Sequence, residues 1–134
     1  MATAAAPRVY KNFINGEWVD SRSGSAYEKL PHPASRFAIV GVAAAVALDA
    51  KGAVQRARIA VTGLGPKATR AAAVEQALQG KATSADQLKA VSRRAADGLE
   101  LRADSIGSAD YKAHLATLYT ERALLRAVAR AAKS

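Results

Sequence analysis

The stretch from Phe37 to Leu48 most limits what this chain can become. It is an apolar run of about a dozen residues ended by Asp49, short of the ~18 that a membrane span requires. Its periodicity suits helix and strand alike, so the residues after it decide. Asp49-Ala50-Lys51-Gly52 reads as a turn. Beyond it, Val54, Arg56 and Arg58 alternate with Gln55, Ala57, Ile59 and Val61. Two such segments around a glycine-containing turn are a hairpin signal. The run is therefore expected to be a strand.

Punctuation along the rest of the chain supplies the other elements. Met1 to Pro7 is a short alanine-rich tail. Asn15-Gly16, between Phe13-Ile14 and Trp18-Val19, predicts a tight hairpin, because a type I′ turn needs positive φ at both central positions. Asp20 to Gly24 reads as a polar turn and Ala26 to Leu30 as a short strand. Pro31-His32-Pro33 then opposes regular structure, since each proline lacks a donor and pushes its predecessor to extended geometry. Ala34 to Arg36 is expected to be a loop, and Gly63-Leu64-Gly65-Pro66 to stop the hairpin.

The remainder reads as helix. One is expected from Ala68 or Thr69 to Gln79, ended by Gly80. A second starts at Ser84, with Gln87 at capping-box spacing, and runs to about Ala96 or Asp97, burying Leu88, Val91 and Ala95 before Gly98. The longest comes after Ser108, from about Ala109 to Ala132, with Tyr111, Leu115, Leu118, Leu125 and Val128 as its apolar stripe. Arg122, Arg126 and Arg130 repeat on another face. Strands first and helices after give an α+β class: an antiparallel sheet of roughly three to five strands, then a three-helix bundle packed on one face.

Composition removes several chemistries. The chain has 134 residues, enough for one core, and no cysteine, which excludes disulfides, thiolate nucleophiles and cysteine-held metal clusters. Half the residues are apolar but only 5% are aromatic, so the core should be thin and alanine-rich. His32 and His114 are far apart, with no carboxylates at metal-ligand spacing, so no metal site is expected. Ser35, Ser84 and Ser105 lack the context of a catalytic triad. The net charge of +9 invites an acidic partner or nucleic acid. The basic residues are nevertheless spread out, without a dense run or interleaved aromatics, and an arginine- and alanine-rich composition explains the balance as well. Nucleic acid is therefore disfavoured. No secretory signal precedes Tyr10 and no membrane span is expected, which suits a cytoplasmic protein.

Two resemblances divide the chain near Gly24. Asn12-Phe13-Ile14-Asn15-Gly16-Glu17-Trp18-Val19, with Ser21 and Ser23-Gly24, resembles the N-terminal hairpin of NAD(P)-dependent aldehyde dehydrogenases over about 15 residues. That family's catalytic cysteine, glutamate base and cofactor domain have no counterpart here, so aldehyde oxidation is not implied. From Ser25 the match changes. Ser25-Ala26-Tyr27-Glu28-Lys29-Leu30, Pro33-Ala34-Ser35-Arg36-Phe37-Ala38 and Val40-Gly41-Val42-Ala43-Ala44 resemble the C-terminal domain of the FAD-binding (medium) subunit of molybdenum hydroxylases. The carbon monoxide dehydrogenase type is the nearer form and xanthine dehydrogenase the more distant. Ala57-Arg58-Ile59-Ala60, Gly63-Leu64-Gly65-Pro66, Tyr111-Lys112-Ala113-His114-Leu115-Ala116 and Arg122-Ala123-Leu124-Leu125 continue it in order. The organisation expected is thus a tail plus hairpin over residues 1–24 and a flavoprotein C-terminal-like domain over 25–134.

The second resemblance implies an antiparallel sheet with a small helical bundle. It also implies FAD, held mostly by two preceding domains whose glycine-rich loops have no equivalent here; Gly63 and Gly65 sit at a strand end. The family's contribution from this domain is a loop closing over the isoalloxazine ring, which here resembles Pro33 to Phe37. The resemblance then assigns Phe37 to stacking, Arg36 to favouring a reduced, anionic flavin, Ser35 to hydrogen bonding, and Tyr27 to the same cofactor-binding set. The alternative is that Phe37 enters the core and Arg36 is solvated. Implied partners are molybdopterin and iron–sulfur subunits, or a separate FAD-binding chain, with self-association as a further route. No catalytic residue is assigned. The chain is expected to be inactive alone, and the rival function is an interaction or assembly protein using the basic helical face or the sheet edge. The hairpin from Phe13 to Val19 is expected to cover the otherwise open sheet edge.

Overall fold

The computed structural model of the chain describes residues 12–14, 16–19 and 25–133. The tail Met1–Pro7 and the turn Asp20–Gly24 lie outside the described residues. Strands β1 (Asn12–Ile14) and β2 (Glu17–Val19) pair antiparallel, with Gly16 at φ +84° in the turn. They form a two-stranded sheet of their own. The hairpin is expected to cover the open edge of the main sheet; among the described residues it pairs only within itself, and β3 is an outer strand of the larger sheet.

That larger sheet is antiparallel, in the order β3 (Ser25–Pro31), β4 (Ala38–Leu48), β5 (Val54–Thr62) and β6 (Thr69–Arg70). The β4–β5 turn is made as its residues suggest. Asp49 Oδ1 accepts the Lys51 and Ala53 N–H groups at 2.8 and 2.9 Å, and Gly52 takes φ +79°. Pairing sets the faces: Leu30↔Val40, Glu28↔Val42 and Ala26↔Ala44 join β3 to β4, and Val42↔Val61, Ala44↔Ile59 and Val46↔Ala57 join β4 to β5. These residues face the helices. Val40, Val42, Ile59 and Val61 are fully buried there, each contributing about 1.5–3 kcal/mol.

The expected first helix starts later than its alanines suggest. Thr69 and Arg70 pair with Val61 and Ala60 as β6, and helix α1 covers only Ala72–Leu78. The reason is the free edge of β5, which needs partners. Ile59 O accepts from Ala71 N at 2.9 Å, Ile59 N donates to Glu75 Oε1 at 2.8 Å, Gln55 O accepts from Gln79 Nε2 at 2.8 Å, and Val54 bonds Gly80 and Lys81. A short strand, a helix and its Gly80 exit thus close one strand edge in sequence.

Helix α2 (Ala85–Ser92) is capped by Ser84, whose side chain accepts from Gln87 N. It ends four or five residues before the expected stop. Ser92 Oγ donates back to Leu88 O at 2.7 Å, and tighter turns carry the chain from Arg93 to Gly98 with Ala95 still buried. Helix α3 (Ala109–Ala131) is capped by Ser108 as expected. Its inward face is the predicted one only in part: Leu115 is buried and Leu118 and Val128 pack against the core. The buried line is Lys112, Leu115, Ala116, Tyr119, Thr120, Ala123, Leu124 and Ala127, whereas Tyr111 and Leu125 are exposed. The helix packs across β3 and β4, and its buried line interleaves Ala116, Ala123 and Ala127 with Leu115, Tyr119 and Leu124. The buried Lys112 ammonium reaches Asp104 at 2.5 Å, and Asp104 also accepts the Ile106 and Gly107 N–H groups.

Burial would raise the Glu75 pKa, but the Arg70 guanidinium and the Ile59 N–H outweigh it and hold the carboxyl below its ordinary value. Asp104 is likewise lowered, chiefly by Lys112. A lowered carboxylate pKa means stability that is complete above the ordinary carboxylate range and lost as pH falls through the lowered value. Glu75→Ala should cost about 1–3 kcal/mol by stranding the Ile59 N–H, and Glu75→Gln, which keeps a carbonyl acceptor, less. In denaturant titrations between about pH 6 and pH 2, the Gln variant should show a shallower acid loss than the parent chain. An identical acid slope would contradict the assignment.

Candidate functional site: the β3–β4 loop and the open sheet face

The loop between β3 and β4 begins where the ladder is broken by proline. Leu30 pairs with Val40 but Pro31 with Ala38, so Ile39 is the extra residue of a bulge. Pro31 is still the last residue of the strand, one position further than its flanking residues suggest. The bulge suits a residue without an N–H and turns the chain into residues 32–37.

His32 organises that turn. Its N–H donates to Phe37 O at 2.7 Å and its carbonyl accepts from Arg36 N at 2.9 Å. Its Nδ1 accepts the Ala34 and Ser35 N–H groups, both at 3.3 Å. Lys29 Nζ donates to Arg36 O at 3.1 Å, which ties the loop down to β3. Ser35 Oγ accepts from Phe37 N at 3.4 Å, a long bond. Within this frame Arg36 takes φ +63°, the only non-glycine residue with positive φ among the described residues. That conformation is costly for a side chain with a Cβ and tends to mark functional segments.

The consequence is the position of Phe37. It is 78% exposed, so it does not enter the core. Leaving a phenylalanine ring in water forgoes about 1.5–3 kcal/mol of burial. Ser35 and Arg36 are exposed beside it. Tyr27, 53% exposed, lies two residues from Lys29 on the same side of β3; it pairs with Ala43 of β4, and its hydroxyl end reaches over Gly41. A Cβ on Gly41 would collide with the Tyr27 hydroxyl, so glycine there lets the ring lie down on the sheet. Lys29 therefore connects the two halves of the expected set: the loop residues Ser35, Arg36 and Phe37 at the sheet end, and Tyr27 on its face. Sequence reasoning weighs His32 only as a metal ligand and misses its role as the loop's acceptor; its place between two prolines, with small and polar residues after it, is the available signal. Among the described residues no three metal-ligating side chains cluster.

The basic repeat on α3 is used inside the chain. Arg126 pairs with Glu28 at 2.8 Å, Arg122 sits 5.1 Å from the Tyr119 ring centroid, and Arg130 bonds Ser25 O. It is a strap across β3 and not a row of free cations. Among the described residues no helix is long and apolar enough to cross a membrane.

Known proteins share this outline. Residues 25–127 match the profile of the CO dehydrogenase flavoprotein C-terminal domain. The 6-hydroxypseudooxynicotine dehydrogenase complex subunit alpha of Paenarthrobacter nicotinovorans is 35% identical over 118 residues, which cover 88% of this chain and 40% of that protein. Quinoline 2-oxidoreductase from Pseudomonas putida 86 superposes with a TM-score of 0.74 at 26% identity, over 85% of this chain and 40% of that one. Carbon monoxide dehydrogenase from Hydrogenophaga pseudoflava, in a form lacking the Mo-pyranopterin moiety of its molybdenum cofactor, gives a TM-score of 0.72 at 36% identity, over 84% and 40%. The chain thus spans about 40% of the length of the relatives it matches.

Because Phe37 is solvated, Phe37→Ser should change the stability of the isolated chain by less than about 0.5 kcal/mol. Arg36→Gly should leave it unchanged or raise it by up to about 1 kcal/mol, by removing a strained Cβ. A large loss of stability in Phe37→Ser, read by chemical denaturation, would mean that the ring is part of the core.

Proposed function

This chain belongs to the CO dehydrogenase flavoprotein C-terminal domain family, and on that premise we propose that it acts as the flavoprotein C-terminal-type domain of a molybdenum hydroxylase. Its contribution is a loop that covers a flavin and contacts to other subunits. FAD is carried mainly by a partner, and molybdopterin and iron–sulfur subunits complete the electron path. The observation that supports this most is the loop itself: an exposed phenylalanine, held beside a backbone-strained arginine by a histidine that spends its Nδ1 on the loop's own N–H groups.

The residues present fit one part of such a cofactor. Phe37 offers an apolar ring face for stacking, Arg36 a positive charge beside it, and Ser35 and Tyr27 hydroxyls for hydrogen bonding. Nothing in the described residues forms a glycine-rich phosphate cradle, so the fit is to an isoalloxazine ring and not to a pyrophosphate. When bound, a flavin supplies the ability to accept electrons singly or in pairs. The chain's own residues do something simpler. The loop excludes water from one side of the ring, and the fixed charge of Arg36 favours negative charge at the ring's edge. Neither act is a reaction, and the described residues assemble no catalytic site of their own.

The purified chain alone should therefore show no dehydrogenase turnover with an artificial electron acceptor. In its assembled complex, Phe37→Ala should weaken flavin retention about tenfold, read by flavin release on dilution, the loss of one stacked aromatic being worth about 1–1.5 kcal/mol. Turnover by the isolated chain, or flavin retention indifferent to Phe37, would overturn the reading.

A further inference from the structure

We propose that the outer face of the four-stranded sheet is a docking surface for an acidic protein partner, the cationic rim meeting carboxylates and the alanine floor an apolar centre. The proposal rests on the reading of the chain as one domain of a larger assembly and names the surface and chemistry of that contact.

The argument begins with β4. An antiparallel sheet with one wet face normally alternates apolar and polar residues. β4 does not. Val40, Val42, Ala44 and Val46 face the helices, and the positions between them are Gly41, Ala43, Ala45 and Ala47. A strand apolar on both sides is the pattern of a strand covered on both sides. Among the described residues the helices cover one. Ala60 of β5 extends the small-residue floor, and a shallow hollow of about 230 Å³ opens over Ala43, Ala45 and Ala60 between Ser25, Arg58 and Arg70.

The rim supplies the sign of the partner. Register places Tyr27 and Lys29 of β3, Arg56 and Arg58 of β5 and Arg70 of β6 on this outer side. The outward strand positions hold four cations and no carboxylate; Arg70 is balanced by Glu75, which leaves Lys29, Arg56 and Arg58 to set the sign. Glu28 faces the other way, to Arg126, and Glu75 is occupied at the β5 edge by Arg70 and Ile59. An apolar centre within a rim of arginine and tyrosine is the anatomy of a protein–protein contact. A second copy docking through the same face would set like charges opposite each other. Nucleic acid would use the cations but not an alanine floor, since its interfaces are polar throughout.

The test is zero-length carbodiimide coupling of the full-length tagged chain in extract of its own cells, after nuclease treatment, with the linked peptides sequenced. Expected are Lys29-to-Asp/Glu links to a different polypeptide. Recovery of that polypeptide should fall at least about tenfold in Arg56→Glu/Arg58→Glu and with rising salt. Ala43→Trp, which blocks the floor without touching a charge, should abolish it, and Arg93→Glu, on the exposed end of α2, should not. Links between two copies of the chain, loss of the partner on nuclease treatment, recovery of the chain alone, or indifference to both face variants would each overturn the proposal. A flavin-bearing partner whose links lie only away from this face would sink the docking surface and leave the functional reading standing. Lys29 links to a partner that carries neither flavin nor molybdopterin nor iron–sulfur centres would do the reverse.

Discussion

The fold depends on a strand that is apolar on both faces. β4 lies between β3 and β5, and its inward valines and alanine bring α3 down across the sheet. Small residues are buried on both elements, Ala26 and Ala44 on the sheet and Ala116, Ala123 and Ala127 on the helix, alongside Leu115, Tyr119 and Leu124. A thin core of this kind leaves little margin, and the polar fastenings around it matter accordingly. Arg126 to Glu28 and Arg130 to Ser25 strap the end of α3 to β3, while Lys112 to Asp104 secures the loop before the helix starts.

The two margins of the sheet are managed differently. On the β5 side, successive groups from Thr69 to Lys81 take up the strand's free donors and acceptors, with Glu75 at the centre accepting both from the Ile59 backbone and from Arg70. At the β3–β4 end the chain does the opposite. Bonds to His32 and Lys29 hold a short loop rigid in order to keep Phe37 out in water. Rigidity spent on exposing a hydrophobic ring is hard to explain by stability alone, and it gives the loop its place in the functional reading.

Elements whose cause is local could be read from the sequence. Asp49 and Gly52 make the β4–β5 turn, Ser84 and Ser108 cap their helices, and Gly80 ends α1 with φ +69°, because each acts on neighbours a few positions away. What escaped was decided at long range. β6 exists because β5 needed partners, not because Thr69 and Arg70 favour a strand. On α3 the sequence marks Leu115, Leu118 and Val128 rightly but also takes Tyr111 and Leu125, which are exposed, and passes over Tyr119, Leu124 and the buried alanines. The early end of α2 is the exception: Ser92 bonds back locally to Leu88 at the last helical residue, and composition does not announce it. At the site, the loop boundaries were legible from Pro31, Pro33 and the strands around them. The exposure of Phe37 was not, since a phenylalanine at the head of an apolar run fits a core equally well. The roles of His32 and Lys29 required the folded loop.

The loop end keeps an aromatic ring in water and the outer sheet face keeps a small apolar floor, and the chain spans about 40% of the length of the relatives it matches. The most direct test is affinity purification of the chain from its native cell, with co-purifying proteins identified by mass spectrometry and flavin read by its visible absorbance. The account predicts recovery with molybdopterin and iron–sulfur subunits and with bound flavin. A chain recovered alone and colourless would contradict it.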